Sequence, residues 1–305
     1  MGSMSEINDR LNQLDNEIAL NQKLKELIRY HGADEMILSD EKWELLKKER
    51  EEKPKFFIKT DIPALDALFP KGVRPGVHII SGPTGEGKST YAQTLTAQLL
   101  KQNIKSSWFT YEGDEDDFFE VFQQYFGNEI PTFSIPKSIP EGGNSIDWLQ
   151  NRILEAKGKY NSNVAFVDHL HYFSEMQGLS GKDKVHLFIG DMMRRLARFT
   201  KDFQIPMFLI VHTKSDAGTI RGGHKFYTKD DIRDSSFVKQ EAISTTMVWR
   251  GIQKSDANPA GWVYTNNAIL NIDKNRIGGK VGFVKLGLVK GLFEEITSNY
   301  DAYAE

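Results

Sequence analysis

The chain has 305 residues, 39% of them hydrophobic, with 42 acidic side chains against 39 Lys and Arg for a formal net charge of -3, and it has no cysteine. That length suits one large domain with an appendage, and the lack of cysteine excludes a disulfide framework and thiolate-ligated zinc. The near-balanced charge gives no global pull toward a polyanion, no apolar run approaches the roughly 18 residues of a membrane span, and the polar first residues form no signal core, so the expectation is a soluble intracellular protein with no membrane partner.

From the N-terminus, Ile7, Leu11, Leu14, Ile18, Leu24, Leu27 and Ile28 mark one stripe on an otherwise charged or amide-rich segment, which predicts an amphipathic helix over 5–30. A second short helix is predicted over 40–50, with Trp43, Leu45 and Leu46 as its apolar side and Pro54 to close it, and 49–55 reads as a charged linker. Residues 1–55 are therefore expected to form a helical linker or oligomerisation segment, whose narrow stripe either covers its own domain or docks on a neighbouring subunit. The main domain is 56–305.

Within that domain Val77 to Ile80 is a short apolar run that reads as a buried strand, and 91–100 has helical spacing with no breaker. A strand is predicted over 106–111, ending at Glu112, followed by a Phe-rich helix over 115–126. After a Pro- and Gly-interrupted stretch over 127–143 come an amphipathic helix over 146–160, a buried strand over 164–168, a long helix over 188–203 and a strand over 206–211. The character then changes: 245–249, 268–272 and 281–286 read as strands joined by short polar turns, with no long helix between them. Alternating strands and helices imply an α/β fold, a mainly parallel sheet flanked by helices with antiparallel C-terminal strands and the N-terminal helical appendage.

Between the first strand and its helix lie Gly82, Pro83, Thr84, Gly85, Glu86, Gly87, Lys88, Ser89 and Thr90, a full match to the phosphate-binding loop G-x-x-x-x-G-K-[ST] in the required order of strand, glycine loop and helix. Backbone N–H groups and the helix N-terminus cradle phosphates there, Lys88 sets a point charge against the β- and γ-phosphates, and Ser89 can ligate Mg2+. The cofactors implied are ATP, or another NTP, and Mg2+. In an open parallel sheet the ligand lies beyond the carboxyl ends of the strands. Asp168 ends one such strand, where it serves either as the acid beside Mg2+ or as a helix cap. Glu112 ends another, as general base for an attacking water or as one more turn carboxylate beside Asp114, Glu115, Asp116 and Asp117. His212 follows a third, placed to sense the γ-phosphate or simply structural.

Several of these stretches carry a family resemblance. Together with the phosphate loop, Phe109-Thr110-Tyr111-Glu112, Val167-Asp168-His169-Leu170, Val211-His212-Thr213-Lys214 and Ile272-Asp273-Lys274-Asn275-Arg276 resemble motifs of the hexameric replicative helicases of the DnaB and phage primase-helicase type, over about residues 56–296. The most specific match is Asp231-Ile232-Arg233-Asp234-Ser235-Ser236-Phe237-Val238-Lys239-Gln240-Glu241-Ala242. It is similar to the family's D-L-R-x-S-G-x-I-x-Q-x-A and departs from it at Ser236, where the family has Gly, and at Phe237.

The resemblance implies a RecA-like P-loop NTPase fold. It makes Glu112 the catalytic glutamate, Asp168 the metal-anchoring acid, His212 the strand-end sensor, and Arg276 with its companion Lys274 a pair reaching into the neighbouring subunit's nucleotide. It places Arg233 in a segment facing DNA, and two channel-lining loops at 177–184 and 219–229, whose Lys182, Lys184, Arg221, Gly222, Gly223 and Lys225 would track a phosphate backbone without reading sequence. The implied activity is that of an NTP-driven replicative DNA helicase, a homo-hexameric ring that translocates on single-stranded DNA and unwinds duplex. A primase and other replisome proteins are candidate partners, in the cytoplasm or another DNA-containing compartment. The alternatives are a RecA-like regulatory or assembly ATPase acting on protein partners without translocation, and a strand-exchange protein.

Overall fold

A computed structural model describes residues 15, 38–52, 56–111, 114–127, 130–138, 146–173, 182–214, 218–221, 224–233, 235–254, 262–276 and 279–296. The chain divides into two compact units, Met1–Pro54 and Lys55–Glu305. In the first, helix α1 (Ser39–Glu52) carries Asp40 and Glu41 in its first turn, where the helix dipole favours carboxylates. Lys47 pairs with Glu44 at 2.6 Å and lies 5.6 Å over the ring of Trp43, which is exposed together with Leu45. The helix expected over 5–30 lies outside the described residues except for Asp15.

In the second unit α2 (Pro63–Leu68) precedes β1 (Gly76–Gly82), α3 (Lys88–Lys101), β2 (Lys105–Thr110), α4 (Glu115–Phe126), α5 (Ile146–Tyr160), β3 (Ser162–Asp168), α6 (Lys182–Asp202) and β4 (Pro206–His212). A small hairpin of β5 (Thr219–Arg221) and β6 (His224–Phe226), a 3-10 turn at Lys229–Asp231 and α7 (Ser235–Glu241) follow. The chain then returns through β7 (Ser244–Lys254), β8 (Trp262–Asn275), β9 (Gly282–Val289) and β10 (Leu292–Glu295). Eight strands form one sheet in the order β10-β9-β8-β7-β1-β4-β3-β2. It is parallel from β7 across to β2 and antiparallel from β7 out to β10, as the strand and helix pattern predicts.

The central position of β1 follows from its composition: all seven residues are buried, and successive side chains serve opposite faces. Val77 and Ile79 pack with Leu149 and Ile153 of α5 and Met192 and Leu196 of α6, whereas Ile80 packs with Leu65 of α2 and Tyr91, Leu95 and Leu99 of α3. On that second face the register puts Trp108, Phe166, Phe208 and His78 in one row across four strands. Trp108 stacks on Phe166 at 4.8 Å and Phe166 on Phe208 at 5.0 Å, and the indole N–H donates to Thr96 Oγ1 of α3 at 2.8 Å.

Three expectations change. Helix α6 begins at Lys182 rather than at 188, because charged Lys182, Asp183 and Lys184 interrupt the apolar spacing without interrupting the helix. The first loop expected at 177–184 therefore ends in a helical turn that includes Lys182 and Lys184. The second loop, at 219–229, is built on the β5–β6 pair, with Arg221 opposite His224 and Lys225 opposite Ile220; Gly222 and Gly223 lie outside the described residues. The edge strand β10 was not foreseen from the sequence.

Candidate nucleotide site

The phosphate loop leaves β1 and enters α3 through two residues in left-handed conformation, Gly85 at φ 76° and Gly87 at φ 95°. A Cβ on Gly87 would stand 2.9 Å from Phe293 Cζ of β10, and one on Gly82 would overlap the Val248 carbonyl oxygen of β7. Glycine at these two positions is thus needed for close approach, and at Gly87 for conformation as well. Glu86 is buried, and its Oε2 accepts from the backbone N–H of Arg250 at 2.7 Å. Its side chain therefore braces the loop against β7, and only its backbone remains for a phosphate.

Lys88, the first residue of α3, is buried and donates from Nζ to the Pro83 carbonyl oxygen at 2.8 Å, across the loop. Next to it Ser89 Oγ donates to Asp168 Oδ2 at 2.6 Å. Asp168 ends β3 and is buried, and its carbonyl oxygen accepts from the Tyr111 N–H at 2.8 Å, which ties the ends of β2 and β3 together. A serine hydroxyl and one carboxylate, both hard oxygen donors, suit a Mg2+ ion that keeps most of its shell for water and nucleotide phosphates. His212 ends β4 in direct register with Gly82. Its ring lies 4.4 Å from that of His169, and both are 6.1 Å from His171. Among the described residues no group of three His or carboxylate side chains is arranged to hold a metal.

The mouth of the site is a cavity of about 340 Å3, within the size range of small-ligand pockets. Loop residues and His212 line it, together with Arg250, Asn266, Asn267, Leu288 and Phe293. These last five come from β7 to β10 and belong to no local motif. The Arg250 guanidinium donates to the Thr265 carbonyl oxygen at 3.1 Å.

The remaining residues expected in the site are placed as follows. Glu112 lies outside the described residues. Lys274 and Arg276 sit at the end of β8 that faces the start of β1: Lys274 is opposite Thr245, and Arg276 N–H donates to the Ile243 carbonyl oxygen, whose own N–H donates to Val77. The five steps from Val77 to Gly82 put Arg276 about 16 Å along the strand from its own loop, and Lys274, level with Ile79 through Thr245, about 10 Å. Within this chain Lys274 Nζ donates to the Lys239 carbonyl oxygen and Arg276 Nη2 to that of Gln240, the last carbonyls of α7. Arg233 is exposed, and its N–H donates to the His212 carbonyl oxygen at 2.9 Å, so the segment from Lys229 to Glu241 is pinned to the end of β4.

The pattern of a family described as RNA helicase matches residues 78–132, from β1 through α4. No curated protein matches the sequence. Among solved structures, an ATPase domain superposes with a TM-score of 0.65 at 15% identity, over 86% of this chain and 100% of that one. A DnaB-like replicative helicase, solved with its interactions with primase, superposes with a TM-score of 0.63 at 14% identity, over 96% of this chain and 76% of that one. At these identities the likeness shows the fold. The chain has the α/β architecture of a DnaB-like helicase ATPase domain, with a P-loop at the carboxyl ends of its parallel strands.

Proposed function

We propose that the chain is an NTP-driven motor on single-stranded DNA, working as a homo-hexamer that unwinds duplex ahead of it. The observation that carries the hydrolytic part is the Ser89 to Asp168 hydrogen bond, which brings the loop and the β3 carboxylate onto one point beside Lys88, with His212 in register with the loop's first glycine. Lys88 holds the β- and γ-phosphates, Ser89 and Asp168 hold Mg2+ through oxygen and water, and His212 senses the γ-phosphate. Glu112, next after Tyr111 along the chain, takes a proton from the attacking water. When bound, Mg2+ supplies charge neutralisation across the phosphates.

Support for a multi-subunit site comes from Lys274 and Arg276, which are too far along the sheet to serve their own loop and would instead serve a loop on an adjacent copy. Support for a strand track comes from the β5–β6 hairpin and Arg233, both continuous with the segment fixed to His212. A head-to-tail ring would multiply those few cations around one strand, which answers the small net negative charge. A primase is a candidate partner. No helix among the described residues is long and apolar enough to cross a membrane.

Steady-state hydrolysis with and without single-stranded DNA tests this function, with single-stranded RNA as the parallel arm. Stimulation by DNA supports the reading, and RNA-selective stimulation redirects it to another strand. A rate indifferent to both assigns the chain to switch-like ATPases acting on protein partners.

A further inference from the structure

Lys274, Arg276 and Arg74 follow one another toward the end of the sheet remote from the phosphate loop. Ile243 N–H donates to the Val77 carbonyl oxygen at 2.7 Å and Arg276 N–H to that of Ile243 at 2.9 Å, so Arg276 is tied through one residue to the start of β1. Arg74 lies two residues before that strand, with its carbonyl oxygen held by His78 Nε2 at 2.8 Å. Its guanidinium feels the charge of Arg276, and Arg276 in turn acts on Lys274. Carboxylates in the neighbourhood have other partners: Asp273 accepts from Lys229 N–H at 2.7 Å and from its Nζ at 3.3 Å, and Asp230 accepts from Lys239 at 2.6 Å. Glu241 alone is an acid acting on Lys274 among the described residues. Arg74 Nε is buried without a hydrogen-bond partner, and no carboxylate among the described residues pairs with its guanidinium.

A half-buried guanidinium facing the charge of Arg276, which itself faces Lys274, weakens the folded chain through desolvation and repulsion, unless an anion enters. Arginine's planar fork matches phosphoryl oxygens in particular. The chain's own phosphate loop stands at the opposite end of β1, so the anion has to come from another molecule.

We propose that Arg74 is the third member of a cationic cradle with Lys274 and Arg276, and that this cradle takes the terminal phosphates of the nucleotide held by the phosphate loop of a second copy of the chain. The assignment rests on the proposed reading that the site is completed by an adjacent copy. Arg74 makes and breaks no bond. It neutralises charge on the γ-phosphoryl oxygens as water attacks phosphorus and the bridging oxygen leaves with the diphosphate.

The test uses the full chain. Arg74→Ala should bind a fluorescent ADP analogue as the parent does, because ADP lacks the γ-phosphoryl oxygens that Arg74 faces, while turnover falls about 100-fold. Arg74→Lys should recover part of that loss. The melting temperature should not drop, since a repulsive charge has been removed. Mixing Arg74→Ala with Lys88→Ala chains should restore about a quarter of the parent rate, the share of head-to-tail interfaces that pair two intact halves. The same mixture made with Arg276→Ala serves as the control. Unchanged turnover in Arg74→Ala overturns the proposal, as does recovery in the Arg276 mixture without recovery in the Arg74 mixture. If neither mixture recovers, completion by an adjacent copy falls, and the role of Arg74 with it.

Discussion

Ser89 and Asp168, 79 positions apart in the chain, meet through a hydrogen bond of 2.6 Å between the first turn of α3 and the end of β3. The sheet order makes this contact possible: β3 is separated from β1 only by β4, so both strand ends open onto the same crevice. Asp168→Asn and Ser89→Ala should each lower turnover by about 100- to 1000-fold, with nucleotide affinity in the absence of Mg2+ nearly unchanged. Titrating affinity against Mg2+ separates the roles. The parent should tighten as Mg2+ is added and both variants should not; tightening in the variants would remove these residues from the cation site.

The two left-handed glycines of the loop make a graded prediction. Gly85 has open space where a Cβ would go and Gly87 has Phe293 at 2.9 Å, although both have positive φ. Gly85→Ala should cost about 1 kcal/mol through backbone conformation alone. Gly87→Ala should cost about 2–3 kcal/mol and displace β10 from the mouth of the site, weakening nucleotide binding more than Gly85→Ala does. Chemical denaturation of the two variants checks the order, and equal losses would contradict it.

His78 gives a pH signature of folding. Burial pushes its imidazole down to about 4, with the nearby Arg74 charge adding to the effect and the Arg74 carbonyl hydrogen bond opposing it. A carbonyl can only accept, so Nε2 carries the proton to Arg74 and Nδ1 accepts from Ser244 Oγ at 2.7 Å. The unfolded chain therefore binds this proton from the ordinary 6.5 downward while the folded chain does not until about 4. Stability should fall across that window by about 3 kcal/mol. His78→Gln should flatten the fall in melting temperature between pH 6.5 and 4, and an unchanged slope would place the acid sensitivity elsewhere.

Legibility in the sequence tracked how local the signal was. The phosphate loop and the strands β1, β3 and β4 stand out because their residues are contiguous and of one chemical type, and Asp168 and His212 stand out because they end such runs. Arg250, Asn266, Leu288 and Phe293 did not, since each belongs to a different strand or strand end and only the antiparallel return of β8 to β10 brings them to the loop. The bracing role of Glu86 was hidden for the same reason: its partner is a backbone N–H at position 250. The role of His78 is invisible within the run Val77 to Ile80, because its partner Ser244 Oγ is set by the register of β1 against β7.

Lys274 carries an opposite pair of pH effects. Burial, followed by the charge of Arg276, lowers its ammonium from the ordinary 10.5 to about 8. Between those values the unfolded chain binds the proton that the folded chain has released, so this residue's contribution to stability rises with pH there. In the nucleotide-free chain its charge is lost from about pH 8 upward, so kcat/KM should decline there. Lys274→Arg should keep kcat/KM flat to higher pH, because a guanidinium does not titrate there. A decline that persists unchanged in Lys274→Arg would assign the alkaline limb to another group.

The motor itself is tested most directly by strand separation on a forked DNA duplex, followed with ATP and Mg2+ in the parent chain and in Lys88→Ala. The expected result is separation by the parent with ATP, none with a non-hydrolysable analogue, and none by Lys88→Ala. DNA-stimulated hydrolysis in the parent without any strand separation would contradict it.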